Sequence, residues 1–119
     1  MQKDTTFKNA DWKLLPIRNC TRIVLERVSQ KRHNLKVRYV VLFGSEARGE
    51  AILTSDVDIA VISDEPLTLS EKQEFAEIFE ERHFPDFRVI NTLTSDLNTN
   101  NFMDVNYHIK KDGLLIYER

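Results

Sequence analysis

The chain has 119 residues, of which 41% are hydrophobic and 30% charged, with a formal net charge of −2. This composition is typical of one small globular domain and excludes a disordered or fibrous chain. The single cysteine, Cys20, excludes an intrachain disulfide and a cysteine-based zinc site. Because there is neither a membrane-length apolar run nor a signal-peptide pattern, we expect one cytoplasmic domain over residues 1–119, without a membrane segment.

The first third of the chain is predicted to contain an arm, a helix and a strand. Residues 1–13 carry no regular pattern and are expected to form an N-terminal arm anchored by Trp12. From Leu14 to about His33 apolar residues recur at helical spacing, which predicts an amphipathic helix. Its core-facing stripe consists of Leu14, Ile17, Thr21, Val24, Leu25 and Val28. The β-rich run over 37–43 predicts a buried strand.

The middle of the chain is predicted to form a strand, a helix and another strand. A second apolar run over 57–62 ends in a turn-prone segment. Thr68 or Ser70 can cap the following helix, which is predicted over 70–83. The inward face of that helix consists of Phe75, Ile78 and Phe79. A third strand is predicted over 87–93.

The C-terminal part of the chain is predicted to form one more helix and an extended end. A polar stretch over 94–101 leads to a helix near 102–111, which Gly113 closes. One face of this helix carries Phe102, Val105 and Ile109. An extended segment over 114–117 follows. The element order predicts an α/β (α+β) fold, in which a small mixed β-sheet has helices packed on it.

The charge is unevenly divided along the chain. Residues 1–38 hold ten Lys and Arg against three Asp and Glu, a net charge of +7, whereas residues 39–119 have a net charge of −9. One interpretation is a basic helix and an acidic helix that expose their charge to water. The other is a basic face that binds an acidic protein, a nucleotide or RNA. The sequence is compatible with both, and no feature of it specifically supports nucleic-acid binding.

A possible phosphate-binding corner follows the first predicted strand. Gly44 has no side chain, so its backbone can approach a ligand closely. Backbone N–H groups at the start of a helix favour phosphate, and the Ser45 hydroxyl adds a donor. Arg48, one helical turn further on, could bind the same anion through its guanidinium fork. No Gly-Lys-Ser/Thr sequence occurs, so this corner is not a P-loop.

Two carboxylates stand at the start of the second predicted strand. Asp56 and Asp58 lie two residues apart, which places both on one face, roughly 7 Å apart. Such charges repel by about 2 kcal/mol at an effective dielectric near 20, unless a cation lies between them. Mg²⁺ takes oxygen ligands and shares its shell with substrate phosphates. The corner and the pair together predict metal-assisted phosphoryl or nucleotidyl transfer; the alternative is a plain turn and a solvated acidic pair.

The sequence Gly44-Ser45-x-Ala47-Arg48-Gly49, followed by Ser55-Asp56-x-Asp58 and an apolar strand, resembles the minimal nucleotidyltransferases of the DNA-polymerase-β-like superfamily. The resemblance covers about residues 37–118. It implies that Gly44 and Ser45 bind the triphosphate of an NTP, expected to be ATP. It also implies that Asp56 and Asp58 are the catalytic carboxylates and hold divalent metal, expected to be Mg²⁺ in a two-metal arrangement.

One position departs from the family pattern. The family carries a third carboxylate on the next strand, within an aromatic–basic–Val–Asp sequence. The matching stretch here is Phe87-Arg88-Val89-Ile90, so Ile90 stands at the expected position of the acid. Asp86 shares its face but lies roughly 13 Å away along an extended strand, and would need a shifted register to serve. Loss of a general base typically lowers the rate by about 10²–10⁴.

The remaining reactive side chains lack a motif. His33, His83 and His108 are predicted to be surface or helix-end residues rather than catalytic ones. Cys20, on the first helix, is predicted to be a small buried apolar group rather than a nucleophile.

Two functional hypotheses follow from the resemblance. The first is a metal-dependent nucleotidyltransferase that moves NMP from an NTP to a hydroxyl acceptor. Because the minimal family is often paired with a small helical HEPN-domain protein, as antitoxin to toxin, the acceptor is expected to lie on such a partner. The second is a catalytically degenerate subunit that keeps the fold and neutralises a partner by binding it. A homo-oligomer is compatible with either hypothesis.

Overall fold

A computed structural model describes residues 7–9, 11–80 and 86–119 of the chain, apart from the side chain of Glu80. The helices of these residues are α1 (Asn19–Gln30), α2 (Gly44–Ala47), α3 (Leu69–Glu80) and α4 (Val105–Asp112). The strands are β1 (Val37–Phe43), β2 (Val57–Ser63), β3 (Phe87–Leu93) and β4 (Leu114–Glu118). Short 3₁₀ turns cover Trp12–Leu14 and Thr94–Asp96. None of the helices formed by these residues is long and apolar enough to cross a membrane.

The four strands form one mixed sheet in the order β3-β2-β1-β4. β1 is antiparallel to both of its neighbours, β2 and β4, whereas β2 and β3 are parallel. Parallel neighbours need a long crossover connection, and α3 lies in that connection. The predicted α/β class with a small mixed sheet is confirmed, and all four strands lie within one residue of their predicted bounds.

Helices pack on both faces of the sheet, and the side chains of each strand alternate between two cores. The core beneath α1 and α3, called the α1/α3 face below, includes Val24, Leu25, Val28, Phe75 and Phe79. The opposite core, called the α4 face, includes Phe7, Val41, Phe43, Leu97 and Ile109. Along β2, Val57, Ile59 and Val61 lie in the first core, and Ala60 and Ile62 lie in the second. By the same alternation Asp58 belongs to the α4 face.

The first helix begins later than the periodicity predicts. Leu14 is 83% exposed and closes a 3₁₀ turn rather than continuing a helical stripe. Leu15 is extended, as expected for a residue before Pro16, so α1 starts only at Asn19. Ile17 is nevertheless buried, because the extended segment before α1 also packs against the core.

The helix α3 carries the predicted cap. Thr68 Oγ1 accepts a hydrogen bond from the backbone N–H of Glu71 at 3.2 Å, and the Glu71 carboxylate accepts one from the N–H of Thr68 at 2.8 Å. This reciprocal pair is a capping box. The Thr68 backbone and the Lys36 ammonium lower the pKa of Glu71 to about 2. Residues 81–83 of the predicted helix, His83 among them, lie outside the described residues.

The last helix differs from its prediction at both ends. It begins at Val105, because Asp104 accepts a hydrogen bond from Asn106 N–H as its N-cap, and Phe102 is therefore 66% exposed instead of facing the core. Gly113 follows the helix as predicted, but its φ of −58° is ordinary. A Cβ there would lie 2.4 Å from the Ile109 carbonyl oxygen, so close packing rather than a left-handed turn requires glycine.

The described part of the predicted N-terminal arm is attached to the edge of the sheet. The Lys8 N–H donates to the Gly113 carbonyl at 3.1 Å, and the Leu115 N–H donates to the Lys8 carbonyl at 2.9 Å. Phe7 is buried on the α4 face, and Trp12 is buried on the α1/α3 face, where it anchors the segment as predicted.

Candidate functional site

An open cavity of about 360 Å³ lies beside the carboxyl end of β1, on the α4 face. Residues from β1, α2, β2, β3 and α4 line it: Phe43, Gly44, Ser45, Arg48, Asp58, Arg88, Ile90, Val105, His108 and Asp112. The structure thus brings four of the five residues singled out from the sequence, Gly44, Ser45, Arg48 and Asp58, to one place. Asp56 lies just outside this lining.

The glycine corner and the Asp58 carboxylate are in close proximity. β1 and β2 pair so that Phe43, the residue before the corner, lies opposite Asp58. Gly44 has a φ of +76°, and a Cβ there would lie 2.3 Å from Asp58 Oδ2. Both the left-handed backbone and the missing side chain therefore require glycine at this position. The backbone of the corner and a carboxylate oxygen face the same small volume.

The Asp58 carboxylate is only weakly compensated. Burial raises the pKa of Asp58 above its ordinary value, the positive charge of Arg88 opposes this, Asp56 adds to the rise, and Arg48 opposes it. Arg88 Nε is 3.8 Å from Asp58 Oδ1, beyond ordinary hydrogen-bond distance. A half-buried carboxylate that receives no closer bond from the described residues is a suitable ligand for an added cation.

In the described part of the chain, Ile90 rather than an acid stands where the resemblance places the third carboxylate. β2 and β3 pair in a regular parallel register, with Asp58 beside Arg88 and Ala60 beside Ile90, so no register shift occurs. Asp86 stays at the start of β3, where its carbonyl accepts a hydrogen bond from Val57 N–H at 2.8 Å. Within residues 7–9, 11–80 and 86–119, no three His, Cys, Asp or Glu side chains are grouped closely enough to hold a metal ion.

Arg48 lies in the cavity but is already engaged. Its Nε donates to Glu50 at 2.8 Å, and its Nη1 donates to Asp112 Oδ2 at 2.8 Å. These two acceptors raise the pKa of Arg48. A phosphate bound by Arg48, as the sequence predicts, would share this guanidinium with both carboxylates.

A buried ion pair fixes the position of α2. The Glu46 carboxylate, 2% exposed, accepts hydrogen bonds from Arg18 Nε at 3.0 Å and from Thr21 Oγ1 at 2.6 Å. Arg18 also donates to the carbonyls of Ile52 and Leu53, in the loop that leads to Asp56. The pair therefore ties the corner and the loop before β2 to α1. Sequence reasoning missed it, although Arg18 and Thr21 are spaced to share a helix face.

Sequence reasoning also missed four residues that line the cavity. Arg88 could have been found, because strand alternation places it on the same face as Ile90. Val105, His108 and Asp112 are spaced by three and four residues, so α4 directs one face at the cavity. The sequence analysis had instead assigned His108 to the surface; it is exposed, and it lies at the cavity.

Comparisons with known proteins agree with the fold and with the family that the sequence resembles. A model of the family described as polymerase beta, nucleotidyltransferase, matches residues 26–119. A toxin–antitoxin crystal structure with AMP-PNP is similar with a TM-score of 0.54 at 21% identity, covering 86% of this chain and 75% of that chain. A mutant MntA–HpeT toxin–antitoxin, with two Asp-to-Glu substitutions two residues apart, gives a TM-score of 0.53 at 17% identity, covering 87% of this chain and 75% of that chain. No curated protein is significantly similar in sequence.

Proposed function

The chain belongs to the polymerase beta nucleotidyltransferase family, and from that premise we propose that it transfers NMP from an NTP, with ATP as the expected donor, to a hydroxyl group of a partner protein. The observation that carries the proposal is the proximity of the Gly44 corner to the Asp58 carboxylate. Nucleotidyl transfer needs a phosphate-binding backbone and a metal-binding oxygen that face the same volume, and the proximity of Gly44 to Asp58 supports assigning these roles to them.

The cavity supplies suitable groups for a triphosphate. Gly44 and Ser45 begin α2, so their backbone N–H groups and the Ser45 hydroxyl provide the donors. The Arg88 side chain is 64% exposed at the cavity and adds positive charge. These groups orient the phosphates. Arg48 adds a further donor to the phosphates while it keeps its hydrogen bonds to Asp112 and Glu50.

The carboxylates fit a divalent cation in their chemistry. Asp58 and Asp56 provide oxygen ligands, and the raised pKa of Asp58 reflects a negative charge that its surroundings compensate poorly. Mg²⁺ held by this pair would neutralise charge on the phosphates. The phosphates themselves would complete the coordination shell around a cation held by this pair.

The acceptor is proposed to be a partner protein in the same cytoplasm. The two similar structures are toxin–antitoxin complexes, one of them with AMP-PNP, which supports an antitoxin-like role beside a small helical HEPN-type toxin. Phe102 and Met103, 66% and 80% exposed, stand just before α4, and the Phe102 carbonyl oxygen lies 2.8 Å from Nε2 of His108, which lines the cavity. Exposed large apolar side chains beside a site favour protein contact.

A second candidate function is supported by Ile90. Because an apolar residue lines the cavity where the family carries its third acid, the chain could bind and neutralise its partner without catalysis. In that case a bound nucleotide or metal ion would change only the affinity for the partner protein, or would have no effect on it.

Labelling distinguishes the two candidates. The purified chain is incubated with Mg²⁺, ATP radiolabelled at the α-phosphate, and the protein encoded next to it. We expect label on the partner, lost by at least about 10²-fold in Asp58→Ala and kept in the matched control Asp96→Ala, an exposed aspartate away from the corner. No label on the partner, together with tight binding of the partner, would favour the non-catalytic subunit.

A further inference from the structure

Transfer to a hydroxyl group needs a proton acceptor, and the usual carboxylate is missing from the cavity. Ile90 occupies its position, and Asp86 stays at the start of β3. The proposed transferase function, on which this inference rests, therefore requires another residue of this chain to take the proton.

The other charged groups of the cavity are unsuited to that role. Arg48 and Arg88 are cations without a lone pair to offer. The Asp112 carboxylate accepts a charge-assisted hydrogen bond from Arg48 at 2.8 Å, so it is already engaged by a cation. Asp58 faces the Gly44 corner, where the proposed function assigns it to the cation. Among the described residues that line the cavity, His108 is the remaining titratable side chain.

The hydrogen bond of His108 fixes which ring nitrogen is basic. His108 Nε2 lies 2.8 Å from the carbonyl oxygen of Phe102. A carbonyl only accepts, so Nε2 must carry the proton and donate it. In a neutral imidazole the other nitrogen, Nδ1, then has a bare lone pair. The His108 ring is exposed and lines the cavity, so a substrate hydroxyl group that enters the cavity can reach this side chain.

We propose that His108 is the general base of the transfer, taking over the work of the missing carboxylate. The acceptor O–H bond breaks and its proton moves to Nδ1, while the oxygen forms a bond to the α-phosphorus. The bond from the α-phosphorus to the bridging oxygen breaks, and pyrophosphate leaves with that electron pair. The imidazolium then returns its proton to solvent.

Two substitutions separate a base from a structural residue. His108→Gln keeps an N–H that can donate to the Phe102 carbonyl but has no basic nitrogen, whereas His108→Ala removes both. We expect kcat for transfer to the neighbour-encoded protein to fall by about 10²–10⁴ in both variants, with KM for ATP unchanged. Lys111→Ala, exposed on the same helix and outside the cavity lining, is the matched control and should keep wild-type kcat.

The protonated nitrogen of the His108 ring can also be identified without measuring activity. Nitrogen NMR of the imidazole in the free wild-type chain should show the tautomer protonated at Nε2. Wild-type kcat in His108→Gln, or a ring protonated at Nδ1 and bare at Nε2, would overturn the inference while leaving the transferase function in place. A wild-type chain that binds its partner but transfers nothing would contradict the proposed function, and the inference with it.

Discussion

The carboxylates on the two faces of the sheet differ in how their charge is compensated. Under α1, Glu46 is almost fully buried and receives close hydrogen bonds from Arg18 and Thr21. On the α4 face, Asp58 is half-buried, and Arg88 Nε lies 3.8 Å from its Oδ1. A buried charge is tolerated when it is paired, and an uncompensated one is kept where a ligand can supply the missing charge. The contrast indicates a structural role for Glu46 and supports the proposed ligand-binding role of Asp58.

The largest expected effect is on the paired side. Glu46→Gln removes the negative charge that compensates Arg18, and we expect the free energy of unfolding to fall by about 3 kcal/mol. Chemical denaturation measures this fall. Glu50→Gln is the control, since Glu50 also pairs with an arginine but is exposed, so its loss should cost less than about 1 kcal/mol. Equal effects of the two substitutions would remove the contrast between the faces.

The next effect tests the proximity of the corner to Asp58. Gly44→Ala places a methyl group against Asp58 Oδ2, whereas Gly49→Ala, at a similar φ of +73°, meets only Pro16 Cγ at 3.5 Å. Both should lose roughly 1–2 kcal/mol through backbone strain. Only Gly44→Ala should also lose Mg²⁺-dependent ATP affinity, measured by calorimetry. Equal affinities in the two variants would show that the carboxylate and the corner do not share a ligand.

A smaller effect of opposite sign is expected at Asp58. Because burial raises the pKa of Asp58, the ionised carboxylate destabilises the folded state at neutral pH, and Asp58→Asn removes that charge. We expect the melting temperature without metal to rise by roughly 2 °C. Added Mg²⁺ should then stabilise the wild type more than the variant. A fall in melting temperature would indicate that Asp58 is a structural ion pair like Glu46.

The smallest expected effect is on the pH dependence of stability, and it distinguishes His33 on one face of the sheet from His108 on the other. Burial lowers the pKa of His33 below its ordinary value of 6.5, with Lys31 contributing and the hydrogen bond to the Val28 carbonyl opposing. The unfolded chain therefore binds the proton first as the pH falls, and stability should decrease as the pH drops below about 6.5. Denaturation midpoints between pH 8 and pH 5.5 measure this slope. We expect it to persist in His108→Gln and to flatten in His33→Asn; an unchanged slope in His33→Asn would assign it to other groups.

Local patterns determined most of the architecture. The runs of β-branched and aromatic residues at 37–43, 57–62 and 87–93 predicted the strands, because alternation and burial are properties of neighbouring residues. Ile90 was also visible in the sequence as a missing acid, and the regular β2–β3 register agrees. The predicted start of the first helix was wrong. Pro16 holds Leu15 in an extended backbone conformation, and the spacing of apolar residues does not reveal this effect.

The sequence by itself determined the elements, the family resemblance and the residues at the Gly44 corner and the acidic pair. Only the tertiary structure decided which charges meet. Asp112 reaches Arg48 across 64 residues of chain, and Glu46 reaches Arg18 across 28. His108 joins the cavity because α4 packs on the face that also carries Asp58. The physical reason is that helix and strand patterns follow from adjacent residues, whereas the pairing of a charge depends on which distant element brings its partner within hydrogen-bond distance.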